Sequence, residues 1–80
     1  YGILVCGTGI GIGIAANKID NIYCALCYDE MTAKLAKRHN NANVISLGGR
    51  MTDKPTSLEI VKTFLKEDFE LLILQDLFFY

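Results

Sequence analysis

The chain has 80 residues, enough for one small domain, and its formal net charge is −1. Basic and acidic side chains are nearly balanced, so the composition argues against nucleic-acid binding. No apolar run is long enough to cross a bilayer, and we expect no membrane segment and no signal peptide. The odd number of cysteines does not suit a disulfide framework, and reduced thiols favour a cytoplasmic protein.

Apolar runs predict three strands. Residues 2–6 form a short, wholly apolar run that is typical of a strand covered on both faces. Residues 21–28 and 42–48 predict the second and third strands. Cys24 and Cys27 form a C-x-x-C pair within the second strand, where side chains three positions apart point to opposite faces. We therefore expect neither a shared metal nor a disulfide there.

Helices are predicted between and after these strands. Residues 14–18 predict a short helix, Asp29 is a good N-cap for a second helix, and Thr56 with Glu59 forms a capping box for a third. In the second helix we expect a core face of Met31, Leu35 and Ala36, with Lys34, Lys37 and Arg38 in water. In the third we expect a core stripe of Leu58, Val61 and Leu65, widened by Ile60 and Phe64.

The order of elements predicts an α/β protein of three layers, α/β/α, with a parallel sheet built from Rossmann-like βαβ units. We assign residues 1–70 to this partial domain and residues 71–80 to an apolar C-terminal tail. That tail is rich in leucine and phenylalanine, and an exposed apolar patch of this kind drives association. Because the first strand begins at once, we expect that strands on its N-terminal side are missing.

Four glycines follow the first strand at every second position, directly after Cys6. Glycines allow tight turns and close approach of the backbone, and helix-start amides bind anions. The loop therefore predicts an anion site at the carboxyl edge of the sheet, where ligands of such folds bind. Amides near Cys6 would favour its reactive thiolate. A dinucleotide fingerprint is the alternative, with Gly11, Gly13 and Ala16 as its glycine positions and Asp29 as the ribose-binding acid.

Further candidates lie downstream. Arg50 follows two glycines and could hold a phosphate by charge-assisted bonds. His39 and the asparagines after it indicate a helix stop, because asparagine tolerates left-handed backbone. Since they end a helix, we expect His39 and Asn40 at the edge of the sheet opposite to Cys6.

The loop C-G-T-G-I-G and the later R-x-H-N-x-x-N-V together resemble the type B ribose-5-phosphate isomerases, a family that includes galactose-6-phosphate isomerase subunits. The resemblance covers residues 2–70. It implies aldose-ketose isomerisation of a pentose phosphate, ribose 5-phosphate to ribulose 5-phosphate, through an enediolate and without metal or cofactor. It also implies a homodimer or dimer of dimers with active sites shared between subunits.

The resemblance gives each matching residue a role. Cys6 would be the base that moves a proton between C1 and C2, and Thr8 and His39 would assist opening of the sugar ring. Asn40 would contact the sugar, and Arg50 the phosphate. The enediolate oxygen would be held by amides of the loop glycines, Gly7, Gly9, Gly11 and Gly13.

The sequence departs from the family pattern. Gly13 stands where serine is usual, and Tyr28 stands where histidine is common. The family's first strand, with an Asp-His pair, is absent, and the apolar tail replaces C-terminal arginines. Two alternatives therefore stay open: a Rossmann-type nucleotide-binding module, and a catalytically impaired fragment that acts only by association.

Overall fold

A computed structural model describes residues 1–69, so the predicted tail at 71–80 lies outside the described residues. Strands and helices alternate along the chain, as predicted. The strands are β1 (Gly2–Cys6), β2 (Cys24–Leu26) and β3 (Val44–Gly48), and the helices are α1 (Ile10–Ala16), α2 (Glu30–Arg38) and α3 (Lys54–Lys66). The boundary between the domain and its tail stays a prediction.

The three strands form a parallel sheet in the order β1-β3-β2. β3 lies in the centre and all of its residues are buried, which explains why its sequence is almost wholly apolar. In register, Cys6 lies opposite Gly48, and Leu26 lies opposite Ser46. The ends of all three strands therefore meet at one edge of the sheet.

Helices cover both faces of the sheet. Ile45 and Leu47 of β3 belong to one buried cluster with residues of α2 and α3. Ser46, which points the other way, faces Gly13 of α1. The predicted three-layer α/β/α arrangement is thus confirmed, with α1 on one face and α2 and α3 on the other.

The start of α2 matches the prediction, but its buried face does not. Asp29 is the N-cap: its carboxylate accepts the Thr32 N–H at 2.7 Å, and the Thr32 hydroxyl accepts the Asp29 N–H at 3.2 Å. The buried face consists of Ala33, Ala36 and Lys37, whereas the expected core residues Met31 and Leu35 are exposed. Two alanines let the helix lie close to the sheet, which leaves the larger side chains beyond the contact.

Lys37 is buried although it was expected in water. Its ammonium lies 4.4 Å from the centre of the Tyr1 ring and 3.4 Å from Oδ1 of Asn41. The aliphatic stem adds to the packing while the charge meets the face of an aromatic ring.

The predicted start of α3 is wrong, and its predicted core stripe is right at Ile60, Phe64 and the half-buried Val61 but wrong at Leu58 and Leu65. Asp53 is the N-cap and accepts the Thr56 N–H at 2.9 Å, so Thr56 lies inside the helix and does not cap it. The buried face consists of Ile60, Thr63 and Phe64. Leu58 and Leu65 are exposed. Two neighbouring apolar stripes compete on this helix, and the buried one contains the large aromatic side chain of Phe64.

β2 is shorter than predicted, and Asn17 lines its outer edge. The Asn17 side chain donates to the carbonyl of Cys24 at 2.8 Å and accepts the N–H of Cys24 at 2.7 Å. Cys27 is buried in the core, and Cys24 lies near Gly13 under α1. The expectation that the two thiols face opposite sides is confirmed, and the described cysteines are free.

Gly13 and Ser46 form a tight contact between α1 and β3. A Cβ atom on Gly13 would lie 2.9 Å from Oγ of Ser46, closer than side chains normally pack. Among residues 1–69, that buried hydroxyl has no hydrogen-bond partner. The stability effect of a substitution at position 13 should therefore depend on the size and the polarity of the side chain at position 46.

We expect the effect of Gly13→Ala to change sign with residue 46. In the parent it should lower the free energy of unfolding by about 1–3 kcal/mol, because it overpacks the contact. In a Ser46→Ala background, the clashing hydroxyl is absent and a Cβ atom at position 13 has room. Because alanine has a higher helix propensity than glycine, Gly13→Ala should then raise the free energy of unfolding by about 1 kcal/mol. Urea unfolding of the four proteins measures both values, and equal effects in both backgrounds would contradict the coupling.

Candidate active site

The loop after β1 turns sharply at Gly9. Its φ is +82°, a left-handed conformation that favours glycine, and the residue is buried. A Cβ atom there would lie 2.6 Å from Cδ1 of Leu26 and 2.8 Å from the carbonyl carbon of Leu47. Gly9 therefore fits this position for two reasons, backbone conformation and space.

α1 begins at Ile10, earlier than the predicted residues 14–18, so the last two loop glycines are helical. Gly11 is exposed, with open space beside it, and its N–H lies in the first turn, where amides have no partner within the helix. Gly13 is buried, and its N–H donates to the carbonyl of Gly9 at 3.3 Å. Its predicted contact with a ligand stays a prediction, while the observed role is packing on Ser46.

The dinucleotide fingerprint does not fit this backbone. Gly11, Gly13 and Ala16 all lie within α1, whereas the fingerprint requires glycines in the turn that joins strand and helix. Asp29, its proposed ribose ligand, already accepts a hydrogen bond as the cap of α2. The fingerprint interpretation of these residues is therefore wrong.

A second loop, residues 48–50, is fastened to the first. The carbonyl of Cys6 accepts the Gly49 N–H at 2.7 Å, and that of Gly7 accepts the Arg50 N–H at 3.0 Å. Gly48 is required by contact, since a Cβ atom there would lie 2.7 Å from the carbonyl oxygen of Thr8. The sequence analysis gave no role to Gly48 and Gly49, although two consecutive glycines at the end of a predicted strand were the available signal.

The fastened loops bring Arg50 to the glycine loop. Its side chain lies against Gly7, where a Cβ atom would be 3.6 Å from Cδ, Nε and Cζ of the arginine. Arg50 is exposed. Its guanidinium is therefore placed beside the loop with room to bind an anion.

Backbone amides lower the pKa of the Cys6 thiol below its ordinary value. The N–H of Ile12 has the largest effect; desolvation comes next and raises the pKa, and the N–H groups of Gly9 and Thr8 lower it further. The Gly9 N–H donates to Sγ at 3.1 Å. Cys27 differs, because burial raises its pKa to about 11. The loop therefore favours a thiolate at Cys6.

Thr8 places a hydroxyl on the same loop. Its Oγ1 accepts the N–H of Ile10 at 3.2 Å, which leaves the hydroxyl proton available for a further bond. The side chain is exposed. Thr8 can thus donate either to the Cys6 thiolate or to an oxygen of a bound molecule.

His39 and Asn40 do not join these residues. His39 caps the C-terminus of α2, at the opposite edge of the sheet, as expected. The helix alone separates the two edges by roughly 13 Å, since it has nine residues. Asn41 next to them has a φ of +50°, which confirms the expected left-handed helix stop. Asn40 borders a separate cleft beside Asn17 and Tyr23.

A small cleft opens beside the glycine loop at the carboxyl edge. Its volume is about 210 Å³, and its lining includes Thr8, Leu26, Tyr28, Gly48 and Met51. Sites for small molecules usually measure about 300–1,000 Å³. The cleft is smaller than such a site, and of Cys6, Thr8 and Arg50 only Thr8 lines it.

Within residues 1–69, no helix has the length and apolar character needed to cross a membrane. The same residues contain no group of three or more His, Cys, Asp or Glu side chains arranged to hold a metal ion.

Comparisons with known proteins give consistent results. The family model described as Ribose/Galactose Isomerase matches residues 1–73. Ribose-5-phosphate isomerase B from Giardia lamblia has a crystal structure that is 56% identical, with a TM-score of 0.83, over 85% of this chain and 51% of that one. The enzyme from Mycoplasma genitalium was solved with bound ribulose-5-phosphate. It is 47% identical, with a TM-score of 0.86, over 88% of this chain and 46% of that one.

A curated relative has a different named substrate. The D-erythrulose-4-phosphate isomerase of Pectobacterium atrosepticum is 46% identical over 86% of this chain and 45% of its own length. The chain spans about half the length of the curated relatives that it matches.

We expect the described thiols to differ in their alkylation by iodoacetamide. In the folded protein, the rate at Cys6 should rise with pH around a lower midpoint than in the urea-unfolded chain, because loop amides stabilise its thiolate. Cys27 should shift the other way, toward about pH 11, because burial disfavours its charged form. Peptide mass spectrometry across pH gives both midpoints, and a Cys6 midpoint unchanged by folding would contradict the loop's effect.

Proposed function

This chain belongs to the ribose/galactose isomerase family, and on that premise we propose that the protein interconverts an aldose phosphate and a ketose phosphate, ribose 5-phosphate and ribulose 5-phosphate. The observation that carries the proposal is the position of the Cys6 thiol. It lies at the end of β1, directly before a loop whose amides stabilise its thiolate. A base next to preorganised donors is what proton transfer beside a carbonyl requires.

Cys6 acts as the base in this mechanism. Its thiolate takes the proton from C2 of the open-chain aldose, and the electrons of that C–H bond form the enediolate. The proton on O2 of the enediolate moves to O1, and the thiol then returns the abstracted proton to C1, which makes C2 the carbonyl of the ketose and restores the thiolate. The base thus gains and loses one proton per turnover, and neither metal nor cofactor enters the proposed cycle.

The glycine loop stabilises the charge that develops on the substrate oxygen. Gly11 supplies a first-turn N–H next to open space, so an oxygen can approach without meeting a side chain. The left-handed Gly9 aims the chain so that these amides and the Cys6 sulfur face the same region. The Thr8 hydroxyl is a further donor for ring opening. Gly13 acts indirectly, through the packing of α1.

Arg50 binds the phosphate end of the substrate. Its side chain lies against Gly7 and is exposed, so a phosphate can form charge-assisted bonds with the guanidinium. Relatives are named for ribose-5-phosphate and for D-erythrulose-4-phosphate, which share a phosphate and a carbonyl at the other end. Those shared groups are the ones that Arg50 and the loop would bind.

The active site is completed by a second copy of the chain. His39 and Asn40 lie at the edge opposite to Cys6, so they reach a substrate only in the site of a partner subunit. These placements support a homodimer with shared sites.

We expect Cys6→Ser to lower kcat for the conversion of ribose 5-phosphate by at least about 100-fold, because the hydroxyl is a far weaker base at neutral pH. Cys24→Ser is the matched control, since Cys24 lies under α1, and it should retain the parental rate. Ribulose 5-phosphate is measured directly. A parent chain without turnover would contradict the proposed activity, and a Cys6→Ser variant at the parental rate would exclude this role for Cys6.

We expect a mixture of Cys6→Ser and His39→Ala chains to recover activity after subunit exchange. If each site combines Cys6 of one subunit with His39 of the other, a mixed dimer contains one intact site. Random exchange at equal concentration should then restore about a quarter of the parental rate. Recovery is measured against each variant alone, and its absence, when native mass spectrometry shows mixed dimers, would place both residues in the same subunit's site.

A further inference from the structure

Leu26, the last residue of β2, reaches the glycine loop from another strand of the sheet. Its register partner in β3 is Ser46, so both side chains lie on the face that α1 covers. A Cβ atom on Gly9 would lie 2.6 Å from Cδ1 of Leu26, which shows that this methyl group fills the space beside Gly9. The other atoms nearest to that space belong to the backbone of Leu47 and Gly48. Leu26 therefore supplies the side-chain contact to Gly9.

The backbone of Leu26 is held by the sheet. β2 pairs with β3 through residues 24–26, and the N–H of Cys27 donates to the carbonyl of Ser46 at 3.0 Å. Cys27 itself is buried in the core. The Leu26 side chain thus extends from a fixed strand toward the loop, where Thr8 is exposed. A side chain on a rigid element is well placed to support a loop that carries functional groups.

The same side chain separates two clefts at this edge of the sheet. One cleft has a volume of about 210 Å³ and lies beside Thr8, and the other has a volume of about 220 Å³ and lies beside Gly13. Leu26 lines both of them. Truncation of this side chain would therefore open space next to Gly9.

Gly9 connects this contact to the sulfur of Cys6. The Gly9 N–H donates to Sγ of Cys6 at 3.1 Å. Glycine has more backbone conformations open to it than any other residue, and Gly9 is held in one of them, with a φ of +82°. Packing that restricts Gly9 to this conformation also fixes the direction of its N–H.

We propose that Leu26 is a positioning residue for Cys6, because it fills the space beside Gly9 and so keeps the Gly9 N–H on the sulfur. Gly9 is also the N-cap of α1, and the Ile12 N–H in the first turn of that helix has the largest effect in lowering the pKa of Cys6. The role of Leu26 in catalysis rests on the proposed function of Cys6 as the base. Its effect on the thiol can be measured without turnover.

Neutral donors stabilise the Cys6 thiolate. Backbone amides and the Thr8 hydroxyl lower the pKa of Cys6, and no charged side chain of the described residues contributes. Arg50, the charged residue of the adjacent loop, lies against Gly7 and is unchanged in every variant below. Loss of the Gly9 hydrogen bond would raise the pKa of Cys6, so less thiolate would be present at neutral pH.

Alkylation of Cys6 by iodoacetamide in the full chain tests this contact. In Leu26→Ala, the pH of half-maximal alkylation rate should rise above that of the parent, toward the value for the urea-unfolded chain. Leu26→Met should keep the parental midpoint, because methionine can fill the same space. Ile14→Ala is the matched control, since Ile14 is an exposed apolar residue that lines the cleft beside Gly13, and it should also keep the parental midpoint.

Turnover gives a second measurement. Leu26→Ala should lower kcat for ribose 5-phosphate at neutral pH by about threefold to tenfold, the ratio that corresponds to one lost hydrogen bond. The rate should return to the parental value at a pH above the new midpoint, whereas a loss that is equal at every pH would contradict the role of Leu26. A parent chain without turnover would contradict the proposed function of the protein, and the alkylation of Cys6 would still test Leu26.

Three alkylation results would overturn the role of Leu26. They are an unchanged Cys6 midpoint in Leu26→Ala, an equal shift in Ile14→Ala, and a shift in Leu26→Met as large as in Leu26→Ala. Cys27 monitors the fold in the same samples, because its thiol is buried. Should Leu26→Ala expose Cys27, nuclear Overhauser contacts in the parent decide instead. Contacts between a Leu26 methyl group and the α-hydrogens of Gly9 support the role, and their absence excludes it.

Discussion

The candidate site depends on the backbone hydrogen bonds that join the glycine loop after β1 to residues 48–50 at the carboxyl edge of the sheet. The carbonyls of Cys6 and Gly7 accept the amides of Gly49 and Arg50, so the pairing of β1 with β3 continues beyond the sheet. Gly48 permits the close approach because it has no side chain to meet the carbonyl of Thr8. One set of backbone bonds thereby fixes the Cys6 thiol, the glycine loop and the backbone of Arg50 relative to one another.

The fold class and one corner of the site could be predicted from the sequence, because both are local. Residues 2–6 are apolar without interruption, and Asp29 precedes a helical pattern with a hydroxyl three residues on, so strand and cap were identifiable. The glycine loop and Arg50 follow strands whose ends must share an edge in a parallel sheet. Neighbouring positions on one edge need no knowledge of the tertiary packing.

The errors arose where two local solutions compete. On α3, the stripes of Leu58 and of Ile60 are both apolar, and only the packing against the sheet decides which is buried. Asp53 and Thr56 are both good cap residues three positions apart, and the aspartate forms the bond. The glycine spacing also concealed the helix start at Ile10, since glycine is a poor helix former. His39 poses a different problem, because its proposed function depends on a second chain.

Asn17 gives the sheet a chemical weak point. Its amide imitates a strand residue by donating to the carbonyl of Cys24 while accepting from its N–H. Hydrolysis of that amide to a carboxylate, the common ageing reaction of asparagine side chains, would replace the donor with an acceptor. Two oxygens would then face each other, and the outer backbone of β2 would lose its cover. The cover of this edge of the sheet therefore depends on a single nitrogen atom, Nδ2 of Asn17.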